Sequence, residues 1–309
     1  MSLSNAKVDS EVAINNPSAV NVPELLPEEE SYLKLIRKRF FKHKLAVVGM
    51  VIFALIVIMA VFAPVLAPHD PLSTEFAFAS SPSSVNFLGT DEVGRDLLSR
   101  LLYGARVSLA VGLGAVAIYV VIGTVLGAVA GYFGGWVDMV IMRITDVVMS
   151  FPYLMVILVL VSIIGPSLSN IILVLGLLGW PQIARLVRGS VLSIKEADYV
   201  KAGVALGYKS SKIVFQHILP NCMAPILVNA TFGIAHAIIM EASLSFLGMG
   251  VQPPTASWGN MLTEAQSLTV LASQPWLWIP PGMMILLAVI SINFMGDGLR
   301  DAMDPKSIR

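Results

Sequence analysis

Residues 45–66 run for 22 positions without one charged or polar side chain. About 20 helical residues cross the roughly 30 Å apolar core of a bilayer, so this stretch fits a membrane span. A cleaved leader would carry a shorter apolar segment nearer the start, followed by a small-residue cleavage site, so the stretch reads as a retained first span closed by Pro64 and Pro68. Composition agrees. Only 13% of the 309 residues are charged and 56% are hydrophobic, against about 25% charged in soluble domains. So few polar groups cannot cover a water-soluble surface.

Five further apolar stretches follow at 107–131, 147–164, 168–184, 223–247 and 276–294. The fourth of the six looks broken at Gly179-Trp180-Pro181, and the fifth is interrupted by His236 and Glu241. Trp276 and Trp278 suit the water–lipid interface where the last span begins. The expected fold is an all-α membrane protein with six transmembrane helices. Its parts are a disordered tail (1–30), an interfacial helix with the first span and an external loop (31–105), a five-span core (106–300) and a short C-terminus (301–309). The basic, amphipathic stretch 31–44 suits the membrane surface.

Lysine and arginine set the orientation. With both termini in the cytosol, 17 of the 20 Lys and Arg residues fall inside, and only Arg95, Arg100 and Arg106 outside. Cytoplasmic segments carry this excess, so both termini are expected in the cytosol. The formal net charge is zero, giving no nucleic-acid footprint. One cysteine, Cys222, permits no internal disulfide, and the four histidines show no metal-ligand spacing.

Gly123, Gly127 and Gly131 repeat every four residues and line one helix face, where another helix of this chain or of a partner can approach closely. The connection 194–221 is amphipathic and long. It predicts a short helix over 198–206 with Val200 and Val204 on one face. A turn follows at Gly207, then a second helix capped by Ser210 or Ser211 with Ile213, Val214 and Ile218 on one side, before Pro220 re-enters the membrane. Such an apolar tip has to be buried against something, either the chain's own face or a partner. His236 and Glu241, inside a predicted span, are expected to avoid lipid. They border a translocation path or gate, or make structural hydrogen bonds. The segment 68–100 has a charged, helical end. It and the stretch around Trp258 are candidate outer docking surfaces, and 68–100 could equally be a lid.

The run from Tyr199 through Lys201, Ala202, Gly203 and Gly207 to Leu219 and Pro220 resembles the coupling loop of binding-protein-dependent ABC importers. That pattern is Glu-Ala-Ala, three residues, Gly, nine residues, Ile, one residue, Leu-Pro. Lys201, Gly203 and His217 depart from it. The runs 88–100, 104–109, 245–248 and 296–305 are similar to the dipeptide/oligopeptide permease group, in particular its "C" permease, a group whose motifs nickel permeases share. The resemblance implies a type I importer permease fold and a cytosolic coupling helix. It also implies a heterodimer with a paralogous permease, two ATP-binding subunits and an extracytoplasmic substrate-binding protein. ATP and Mg would then sit on the partner ATPases and no cofactor on this chain, which is no enzyme. Gly203 to Ser210 only echoes a phosphate loop, because three residues separate the glycines and Tyr208 precedes Lys209. The cargo implied is a di- or oligopeptide, with a nickel or other metal chelate as the alternative. A proton-coupled secondary transporter using Glu241 and His236 is the rival class, but no self-similar halves are visible. A membrane hydrolase lacks any assembled nucleophile and base.

Overall fold

In hydrocarbon a backbone amide has no water to bond, so apolar stretches become helices that satisfy their own N–H and C=O groups. The computed structural model describes residues 32–303. Among these the chain is helical apart from loops and a single bridge between Thr90 and Asp96. The expected tail 1–30 lies outside the described residues, as does the chain beyond 303. The order is α1 (Tyr32–Lys42), α2 (Lys44–Val61), α3 (Ala63–Leu66), α4 (Leu97–Phe133), α5 (Gly135–Met149), α6 (Tyr153–Ile164), α7 (Leu168–Lys195), α8 (Asp198–Ala205) and α9 (Ser210–Lys212). A π-helical stretch, Ile213–Ile218, then leads into α10 (Leu219–Phe246). After it come α11 (Trp258–Met261), a 3₁₀ turn (Leu262–Gln266), α12 (Leu268–Ser273) and α13 (Pro275–Met303).

Five helices are long and apolar enough to cross a membrane: α2, α4, α7, the unbroken run Ser210–Phe246, and α13. The pair α5 and α6, bent by 84° at the break between them, passes the same test only when taken together, as a broken span or a re-entrant loop. This corrects the straight span expected at 147–164. α6 has 12 residues, about 18 Å of helix, too short to cross alone. The break falls at Pro152, which has no N–H to give and biases Phe151 away from helical angles. The opposite correction applies at 179–181. There α7 is unbroken, with Pro181 and Trp180 buried inside it, since a membrane helix tolerates proline where neighbours hold it. α4 starts at Leu97, well before 107, because Asp96 caps it by accepting from Ser99 N at 2.8 Å.

α4 and α7 form the central seam. A Cβ on Gly123 would lie 2.6 Å from Ile183 Cβ, and one on Gly127 would lie 2.5 Å from Ala184 O. At Gly131 it would meet Val191 Cβ at 2.8 Å. The glycine stripe therefore packs within this chain, against one face of α7. α2 lies against α13, and α10 against α4, α7 and α13. α1 is more than a surface helix, because it packs on α13 with Ile36 buried.

At the end of the bundle bearing 62–96, the charged run expected to look helical divides: Asp91, Glu92 and Arg95 form a turn, Asp96 caps α4 and Arg100 lies in its first turn. Asp91 accepts from Val93 N and Arg95 N and lies 2.6 Å from Arg95 Nε and 3.3 Å from Arg100 Nε. Asp91, Asp96 and Arg100 are all buried. This segment is a lid folded onto the helices. Trp258 is fully buried under it, donating Nε1–H to Leu101 O at 3.1 Å, so the ring itself offers no docking surface.

Candidate functional site

The connection at the opposite end of the bundle starts from a fixed base. Lys195, the last residue of α7, donates to Tyr132 O at the end of α4 over 2.7 Å. α8 follows, with Leu206 as its C-cap. Gly207 turns the chain at φ +76° with nothing within 4 Å of its Cβ position, so the demand for glycine there is purely dihedral. Lys201, where the importer pattern has an acid, lies 2.9 Å from Glu196 Oε2, and this neighbour holds the exposed Glu196 carboxyl below its ordinary range. Tyr199 and Ala202 are exposed, whereas Gly203 is buried with room for a methyl group, 3.5 Å from Tyr208 Cδ2. His217, the third departure, sits between Tyr199 and Tyr208, stacked on the latter.

The second helix departs from its expected form in three ways. Neither Ser210 nor Ser211 caps it: the helix starts after extended Lys209, with no side-chain cap. It is not a separate unit ending at Leu219 but continues without a break into α10, with Pro220 in the first turn. Its apolar residues also divide differently. In a π turn residues five apart align, so Ile213 and Ile218 both point inward and are buried with Val200 and Cys222. Val214 and Leu219 pack partly against them. The widened turn also relieves Pro220, whose ring would crowd the carbonyl four residues earlier. The apolar side chains left outside are Val204 (56% exposed), Leu206 (72%) and Phe215 (69%). Val200 and Val204, expected on one face, thus end on opposite sides of the surface.

Glu241 and His236 are separated. Glu241 is fully buried. Its Oε1 accepts from Ser245 Oγ (2.7 Å) and Ser257 Oγ (2.8 Å), and its Oε2 from Ser108 Oγ (3.4 Å). Each hydroxyl in turn accepts from a backbone N–H of the segment after α10: Ser245 from Val251, Ser257 from Asn260, and Ser108 from Trp258. One carboxyl therefore clasps α4, α10 and the loop 251–260. His236 faces a cavity of about 440 Å³ between α4, the α5–α6 break, α7 and α10. Reasoning from ionisable residues found His236 there and missed two uncharged amides, Gln182 and Asn229, that line the same space. Their signal was present as side-chain amides inside predicted spans.

A bundle of this helix order, with a broken span beside a central cavity and a turn element after α7, defines a membrane permease subunit. The chain belongs to the family described as binding-protein-dependent transport system inner membrane component, whose model matches residues 123–309. Residues 31–82 match the N-terminal transmembrane domain of oligopeptide transport permease C. The chain is 43% identical over 270 residues to a dipeptide transport system permease protein of Alkalihalophilus pseudofirmus, covering 87% of this chain and 88% of that one. It is 43% identical over 283 residues to a di/tripeptide transport system permease protein of Pseudomonas aeruginosa (89% and 93% covered). With an oligopeptide transport system permease protein of Bacillus subtilis it shares 41% over 269 residues (87% and 88%). It is an ABC importer permease, a multi-pass protein of the inner membrane.

Proposed function

We propose that this chain forms half of a transmembrane path for di- or oligopeptides, completed by a related second permease. Two separate ATP-binding subunits drive it from the side bearing residues 196–209. The names of its relatives support the cargo. The distribution of Lys and Arg supports cytosolic termini and a cytosolic coupling loop, with the lid 62–96 facing a substrate-binding protein outside. ATP-bound and ATP-free states must differ in their contacts with this chain for nucleotide to move it.

One observation carries the reading. A short helix, α8, and its Gly207 turn hold Val204 and Leu206 exposed at the end of the bundle, with Phe215 exposed on the same connection and Ile213 and Ile218 securing it to the core. Burying such a side chain contributes about 1.5–3 kcal/mol before association costs. The double variant Leu206→Asp with Phe215→Asp should therefore weaken ATPase retention at least about tenfold, with normal membrane abundance. Gly207→Val should uncouple hydrolysis from uptake. Wild-type retention and full ATP-dependent uptake in both variants would remove the coupling role.

A further inference from the structure

The cavity holds polar groups that lipid could not satisfy. Gln182 lies 14 residues after Leu168 and 13 before Lys195, about 20 Å of helix from either end of α7. Asn229 lies 19 residues after Ser210 and 17 before Phe246 in the continuous run ending in α10. Both sit near the middle of a helix long and apolar enough to cross a membrane. Among the described residues neither amide has a hydrogen-bond partner, and Gln182 and His236 are exposed in the isolated chain. The contrast with other polar groups on these helices is informative. Thr145, Ser162, Ser190, Thr231 and Ser243 each turn the hydroxyl back onto a carbonyl three or four residues earlier, and so are satisfied wherever they face. Gln182, Asn229 and His236 are not satisfied in this way, and they converge on one space. An unpartnered amide facing hydrocarbon is costly, so this face must meet water, a partner or a ligand.

We propose that this cavity is a transit site for the peptide backbone, with Gln182 and Asn229 as the side chains that hydrogen-bond it. The inference rests on the importer reading above. A carboxamide is the functional group of the peptide bond itself, offering one carbonyl acceptor and N–H donors, and two of them on different helices can pair with successive backbone units. Among the described residues no Asp, Glu, Lys or Arg of this chain lines the cavity, so this half of the path offers a peptide terminus no carboxylate, ammonium or guanidinium partner. Tyr119, Phe151, Tyr153 and Phe232 give aromatic walls that accept varied side chains. Tyr119 is fixed between two close approaches. A Cβ on Gly179 would lie 2.7 Å from its ring, and one on Gly233 would overlap its hydroxyl. A volume of about 440 Å³ falls within the roughly 300–1,000 Å³ of small-molecule sites.

The test uses the complete transporter in vesicles, with both permeases, both ATPases and the binding protein, and radiolabelled trialanine as probe. Gln182→Leu and Asn229→Leu should each lower peptide moved per ATP hydrolysed about fivefold. ATPase stimulation by the loaded binding protein and membrane abundance should stay at wild-type levels, and Asn229→Gln should restore most of the uptake. Gln182→Glu should slow a glutamate-containing tripeptide more than a lysine-containing one, because it introduces the charge that the cavity lacks. If the leucine variants match the wild type in uptake per ATP, the inference falls while the importer reading stands. Labelling of Asn229→Cys, in a Cys222→Ser background, only by lipid-dissolved reagents and never by water-soluble ones would also overturn it. If the wild-type complex itself moves no peptide, the importer reading fails and this inference with it.

Discussion

Glu264, in the 3₁₀ turn beneath the lid, shares its surroundings with Asp91, Glu92, Arg95 and Arg100. Burial pushes its carboxyl up from 4.5 to about 7. Asp91 and Glu92 add to the rise, and the two arginines oppose it. Its Oε2 and Arg100 Nη1 are both buried without a hydrogen-bond partner. The folded lid therefore holds a proton more tightly than the unfolded segment does. The stability gained is complete below about pH 4.5 and is lost as pH rises toward about 7. Hydrogen exchange across 86–100 and 262–266, corrected for intrinsic chemistry, should show weaker protection at about pH 7.5 than at about pH 5. Glu264→Gln should flatten that difference, and an unchanged slope in the variant would assign it to another group. Glu241 shows the other fate of a buried acid. Three hydroxyls satisfy it, and it holds the loop 251–260 in place. The sequence next to it offered only Ser245, one turn away, and the clasp was not legible because Ser108 and Ser257 come from other elements.

At the scale of elements, the α4–α7 seam depends on backbone approach that only glycine allows. Gly127→Val would drive a branched side chain into Ala184 O and Val187, and overpacking of this kind costs about 1–3 kcal/mol or more. Gly189, on the same α7, has nothing within 4 Å of its Cβ position, so Gly189→Ala is the matched control. Thermal unfolding of purified protein should fall for the first and hold for the second, and equal stability would contradict the seam. The glycine period was legible in the sequence because a repeat of four marks one helix face. Three other features were not. The 84° bend at Pro152 looked like one apolar run, since hydropathy does not record direction. Gly179-Trp180-Pro181 looked like a break, although α7 runs on through it with Trp180 and Pro181 buried. Ile213 and Ile218 were assigned by a 3.6-residue period, and a π turn rotates them inward and leaves Phe215 exposed. Local pattern predicts elements well, and it fails where a single turn changes pitch.

For the whole molecule, class was far more visible than mechanism. Apolar stretches and a lopsided distribution of cations were enough to expect a six-span membrane protein; the permease reading came from the resemblance carried by 88–100, 104–109, 199–220, 245–248 and 296–305, and the family match agrees with it. The cavity was hidden because its lining comes from four separate helical regions, and its amides carry no charge to draw notice. In the proposed function this chain moves cargo only when other chains hydrolyse ATP. The most direct measurement is peptide uptake into vesicles holding this chain alone, or the full set of permeases, ATPases and binding protein, under an ATP supply or a proton gradient. Uptake should appear only with the full set and ATP, and vanish when the ATPases are omitted. Uptake by this chain alone under a proton gradient would contradict the account.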